Sequence, residues 1–167
     1  MRRRFDEENC AVAQSLEVLG DWWTLLLIRE AFFGTRRFGD FQSVLGISKN
    51  VLSQRLDHLV EHEVFEKVDA GVHGPRFEYV LTPRGKDLAT VLTALRQWGD
   101  RWVFGKGKEP LLVVDERTGE RLPKVRILGD DGQPLPPSAF GFRLGPGATR
   151  ETAARFAELW GSEQGAE

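Results

Sequence analysis

The chain has 167 residues, 41% of them apolar and 29% charged; this is an ordinary globular composition, and the length suffices to bury a core without staples. Twenty-three Lys and Arg against 25 Asp and Glu leave a net charge of −2, which argues against coating nucleic acid by bulk charge but allows a local basic patch. The single cysteine, Cys10, excludes an internal disulfide and a multi-cysteine metal site, and fits a reducing compartment. The densest apolar run, Trp22 to Ile28, is too short to span a bilayer. The basic start, Met1 to Arg4, has no apolar stretch behind it and does not read as a signal peptide, so a cytoplasmic protein is expected.

The first elements are helical. Asn9 is placed to cap a short helix reaching Leu19, with Val12, Leu16 and Leu19 on one face. Asp21 caps a second helix from Trp22 to Phe33, apolar on nearly all sides and therefore expected to be central and buried; Gly34 stops it. A third helix spans about Phe38 to Leu45 and Gly46 breaks it. Ser48 then caps a fourth helix to about His62, whose Leu52, Leu56 and Leu59 face a core. Asn50 and Gln54 point the other way, with Lys49 and Ser53 beside them and Arg55 at the edge of the apolar stripe. Phe65 to Val68 and Phe77 to Leu81 read as strands joined by a loop at Asp69 to Pro75. Thr82 as cap and Pro83 at the first position open a fifth helix to about Trp102.

The composition shifts near Phe104. Six of the eight prolines follow it (Pro110, Pro123, Pro134, Pro136, Pro137 and Pro146), and such a shift marks a change of architecture. Residues 1–104 are read as one domain and residues 105–167 as a C-terminal extension. Within the extension, Leu111 to Val114 and Val125 to Leu128 read as strands of hairpin-like units, with turns at Glu116–Glu120 and Asp131–Gly132, and Thr149 caps a terminal helix carrying Phe156 and Trp160. The fold class expected is α+β: a winged helix-turn-helix with a small C-terminal β-ribbon and a terminal helix.

That order of elements suggests duplex DNA as the partner, with the fourth helix entering the major groove. Asn50 and Gln54 carry amides that pair with adenine, Lys49 reaches guanine or phosphate, and Ser48 and Ser53 bond to phosphate or base edges. Arg36, Arg37 and Arg55 would contact phosphates, and His73 and Arg76 would sit on the wing. Charge is distributed accordingly. Between Arg36 and Arg55 there are four basic residues (Arg36, Arg37, Lys49, Arg55) and one acidic residue, Asp40. Between Asp57 and Asp69 there are five acidic residues (Asp57, Glu61, Glu63, Glu66, Asp69) and one basic residue, Lys67.

The run Trp23 to Arg29, then Gly34, Arg37 to Phe41, Gly46 to Leu56 and Phe77 to Gly85 resembles the HxlR family of bacterial transcriptional regulators, over about residues 9–102. Two positions depart from the family pattern: Glu63, where glycine is usual before the wing strand, and Ala11, where proline commonly follows the cysteine. The resemblance implies a homodimer built from the first and last helices, through Val12, Leu16, Leu19, Leu88, Val91, Leu92, Leu95, Trp98 and Trp102. A two-fold dimer implies an inverted-repeat operator. The resemblance also implies a regulator, read here as a repressor released by a small-molecule effector or by thiol modification. The alternative is a winged-helix module that binds other proteins and no DNA.

Some family members look like oxidant or electrophile sensors acting through a cysteine placed like Cys10. A helix N-terminus favours the thiolate, whereas Asp6, Glu7 and Glu8 oppose it, and an inert, partly buried thiol is the expectation. His58 and His62 stand at i, i+4, but no third ligand is signalled, so they are read as surface histidines and no metal or cofactor is assigned. No nucleophile elbow, phosphate loop or dinucleotide fingerprint occurs, and no enzyme is expected. In some longer members a similar tail carries a cysteine- and histidine-bearing ribbon; this tail has no cysteine. An effector pocket could draw on Trp22, Trp23, Trp98, Trp102, Phe140, Phe142 and Trp160, residues that core packing explains equally well.

Overall fold

In the computed structural model, which describes Phe5 and residues 7–71 and 74–161, helix α1 covers Ala11–Leu19. Asn9 lies two residues before it and does not cap it. Its side-chain oxygen instead accepts from the Thr149 N–H at 3.1 Å and the Thr152 hydroxyl at 2.7 Å, and its amide donates to the Gly147 carbonyl. Helix α2, Trp22–Phe32, starts where the Asp21 carboxylate accepts from the Trp23 N–H at 3.0 Å, satisfying an orphan donor of the first turn. It is less enclosed than its composition suggests. Thr24, Leu27, Ile28 and Glu30 are buried, while Trp22 is 76% exposed and Phe32 is also exposed. A helix apolar all round buries only the sides that have neighbours, and among the described residues Trp22 and Phe32 are left uncovered.

Helix α3, Phe38–Leu45, ends at Gly46, whose φ of +63° is the left-handed conformation glycine adopts at no steric cost. Ile47 plugs the turn as a buried side chain, and Ser48 caps helix α4, Lys49–Glu61, by accepting from the Val51 N–H. Leu52, Leu56 and Leu59 are fully buried against Leu27, Ile28, Phe41, Val64 and Phe65. Each such side chain contributes about 1.5–3 kcal/mol by leaving water.

Strands β1, Phe65–Asp69, and β2, Phe77–Leu81, pair antiparallel with Phe65 opposite Leu81 and Asp69 opposite Phe77. Helix α5, Pro83–Gly99, opens with Thr82 accepting from the Gly85 N–H at 3.1 Å. Gly85 is buried where a Cβ would come within 2.2 Å of the Val64 carbonyl oxygen, so close approach of α5 to the start of the sheet demands glycine. The α-helix stops at Gly99, short of the expected Trp102, and Asp100–Phe104 form a π-helical turn.

The chain divides into two compact units. Val18–Val125 forms one; the residues before Val18 together with those from Arg126 onward form the other. The division therefore does not fall at Phe104. Gln97 of α5 explains this locally, since its amide donates to the Pro123 carbonyl and its oxygen accepts from the Val125 N–H at 2.8 Å. The tail's expected four-residue strands are single bridges, Val114 to Arg121 and Leu128 to Pro134. Pro134 has no N–H to extend a ladder, and Ile127 and Leu128 are exposed, so no buried face favours a longer strand. The turns themselves form: Gly132 has φ +72°, and the Asp131 carboxylate accepts from the Gln133 N–H. Helix α6, Arg150–Trp160, is capped by Thr149.

Candidate nucleic-acid interface

The turn at Gly46–Ser48 aims the N-terminal turns of α4 outward. Ser48, Lys49, Asn50, Ser53 and Gln54 are all exposed, on the side opposite Leu52 and Leu56. This row combines two amides, two hydroxyls and one ammonium, the donors and acceptors that read base edges. Ser53 is partly engaged, its hydroxyl donating to the Asp57 carboxylate at 3.3 Å.

The flanking arginines differ from one another. Arg36 is exposed, and its carbonyl accepts from the Tyr79 N–H at 2.8 Å, tying the loop before α3 to β2. Arg37 is exposed and paired with Glu78 at 3.2 Å, a solvated contact of small energy that a phosphate can displace. Arg55, expected among the phosphate contacts, is half-buried and pairs with Asp21 at 3.0 Å. Its Nε is buried with no hydrogen-bond partner among the described residues. The same Asp21 caps α2, so this pair joins the start of α2 to the middle of α4. Sequence spacing could not reveal the link, because the partners are 34 positions apart (55 minus 21).

The wing is closed at its base by Asp69, which accepts from the N–H groups of Arg76 and Gly71, each at 2.9 Å. Those two bonds, the Arg76 one foremost, hold the Asp69 carboxyl below its ordinary pKa. Arg76 is exposed; His73 lies outside the described residues. Lys67 lies over the Phe77 ring at 4.6 Å, a cation–π contact the sequence did not signal. Burial of Tyr79, with Asp57 as a lesser cause, raises its phenol pKa.

The expected dimer residues separate into two groups. Leu19, Leu88 and Leu92 are half-buried and pack on the chain's own core. Val12 and Leu16 on α1 are exposed, as are Val91, Leu95 and Trp98 on α5 and Trp102 in the turn that follows. Trp98 and Trp102 are 59% and 64% exposed. Cys10 is exposed, in contrast to the partly buried thiol expected; it stands just before α1, a helix that buries none of its own side chains. His58 and His62, read as surface histidines, are half-buried; their rings lie 4.4 Å apart and His58 Nε2 lies 3.2 Å from the Val18 carbonyl. Among the described residues, no helix is long and apolar enough to cross a membrane.

Comparison with known proteins agrees with this layout. The family described as HxlR-like helix-turn-helix matches residues 18–106. An uncharacterised HTH-type transcriptional regulator of Mycobacterium tuberculosis is 36% identical, over 92% of this chain and 96% of its own. The crystal structure of PA1607, described as a candidate transcription factor, superposes with a TM-score of 0.77 at 37% identity, covering 86% of this chain and 99% of that one. The redox regulator HypR in its reduced form shares 25% identity at a TM-score of 0.50, covering 54% of this chain and 90% of that one.

Proposed function

The chain belongs to the HxlR-like helix-turn-helix family of transcriptional regulators, and we propose that it acts as a homodimeric repressor that binds an inverted-repeat operator in duplex DNA. The observation that carries this reading is the exposed polar row Ser48, Lys49, Asn50, Ser53 and Gln54 at the start of α4, backed by the fully buried Leu52 and Leu56. In this reading Asn50 and Gln54 address base edges, and Arg36, Arg37 and the wing's Arg76 address phosphates. Arg55, held by Asp21, sets the angle at which α4 leaves the core.

Dimerisation is supported by the α5 stripe. Val91, Leu95, Trp98 and Trp102 follow one another at steps of four, three and four residues, and all are exposed. Such a stripe of large apolar groups calls for a covering surface, and a second copy supplies one by two-fold symmetry. Half-sites then lie one or two helical turns apart. Release of the operator falls to a small-molecule effector or to chemistry at Cys10, whose exposure leaves it open to oxidants and electrophiles.

A gel-shift assay with DNA from upstream of the chain's own gene and its neighbours tests the reading. Binding that survives competitor DNA and weakens steeply with salt is the expected result. Gln54→Ala should relax base preference at one operator position, and Arg37→Ala should weaken all sequences alike. Absence of sequence-specific binding, together with a stable complex with another protein, overturns it in favour of an interaction module. Operator release by diamide that persists unchanged in Cys10→Ser removes the thiol route.

A further inference from the structure

The C-terminal end of α4 carries a cluster that the DNA reading does not use. His58, Glu61 and His62 stand at i, i+3 and i+4, and one donor atom from each lies within 4.8 Å of the other two. Spacing had signalled the two imidazoles without a third ligand; the helix turn supplies Glu61. We propose that these three side chains bind one divalent transition-metal ion, zinc in first place.

The ligand chemistry selects the ion. Two imidazole nitrogens and one carboxylate oxygen form a set that suits zinc and its neighbours in the transition series, whereas magnesium and calcium prefer all-oxygen shells. Around a tetrahedral zinc, donors at about 2.0–2.2 Å from the metal sit about 3.3–3.6 Å from one another. Closure by up to roughly 1.5 Å from the 4.8 Å bound is therefore needed; the exposed Glu61 side chain can rotate toward the ion, and the imidazoles turn about their own side-chain torsions. Water completes the fourth position.

A second observation points the same way. His58 Nε2 lies 3.2 Å from the Val18 carbonyl, which accepts its proton. Donation from that nitrogen leaves Nδ1 with the free lone pair. A ring nitrogen anchored on a carbonyl, with the other nitrogen left to bind, is the outer-shell arrangement of metal-binding histidines, and in this proposal Nδ1 is the ligand atom. The anchor carbonyl of Val18 lies in the same compact unit as α4, so a bound ion would stiffen the contact of Val18 with the end of α4 remote from the exposed polar row. The site stands independently of whether the chain reads DNA.

Calorimetric titration of the chelator-treated full chain with zinc chloride provides the test. Wild type should take up one ion per chain, and its thermal midpoint should rise with zinc. His62→Ala should lose about tenfold or more in affinity together with the thermal shift, and Glu61→Gln should fall between the two. Cys10→Ser should bind as wild type does. His62→Gln, which keeps a polar side chain of similar reach, guards against a folding defect in the alanine variant and should show the same loss. Equal zinc affinity in wild type and both His62 variants, or no uptake by wild type, overturns the proposal.

Discussion

The two compact units are held together by different physics. Every buried apolar side chain among the described residues lies between Leu27 and Tyr79, inside the unit Val18–Val125. The other unit has none among its described residues. It relies on point contacts: Asn9 with Gly147, Thr149 and Thr152, Thr149 capping α6, the Phe156 and Trp160 rings 4.8 Å apart, and the Asp131–Gly132 turn. Burial contributes in proportion to area and cooperatively, whereas exposed hydrogen bonds contribute little net. The winged unit therefore carries the stability that positions α4, while the second unit should open at lower free energy.

Substitutions in the two units should differ in cost accordingly. The largest effect is expected for Leu56→Ala, which empties a fully buried site; it should cost about 3 kcal/mol in chemical denaturation of the whole winged unit. Gly85→Ala forces a Cβ against the Val64 carbonyl and should cost about 2 kcal/mol by the same measurement. Glu63→Gly works in the opposite direction. Glu63 has φ +56°, a left-handed conformation costly for a residue with a Cβ. Its replacement should stabilise the winged unit by about 1 kcal/mol. Trp160→Ala removes a half-exposed ring pair and should cost about 1 kcal/mol or less, read as faster amide exchange confined to α6. If Trp160→Ala instead destabilised the winged unit as strongly as Leu56→Ala, the division of labour between the units would be wrong.

The smallest effect concerns pH at the wing. The folded-state pKa of Asp69 is lowered by the N–H groups of Arg76 and Gly71. The stabilisation is therefore complete above the ordinary aspartate range and is lost as pH falls through the lowered value. Amide exchange at Gly71 should accelerate over that acid interval, and Asp69→Asn should abolish the pH dependence. An identical pH profile in the variant would remove Asp69 from the wing clasp.

Much of the winged domain was legible from residue pattern. Phe38–Leu45 matches its expected bounds, Gly46 is left-handed, and Ser48, Asp21 and Thr82 all cap as expected. These signals are local: a cap or a left-handed glycine depends on atoms within one helical turn. The departure at Glu63 was also visible in the sequence, and the positive φ there supplies its physical meaning. The tail strands failed because short apolar runs predict a strand only where some face is buried, and burial is a property of the surroundings.

Residue pattern alone was enough for the helix and strand order of the winged unit, the caps at Asp21, Ser48 and Thr82, and the polar row of α4, because periodicity and capping are written within a few residues. Which polar groups are free and which are taken follows from the packed chain. Arg55 pairs with Asp21, Asn9 holds the start of α6, and His58 lies against the Val18 carbonyl. Pairings across tens of residues depend on the packed geometry of the chain, which no local spacing encodes.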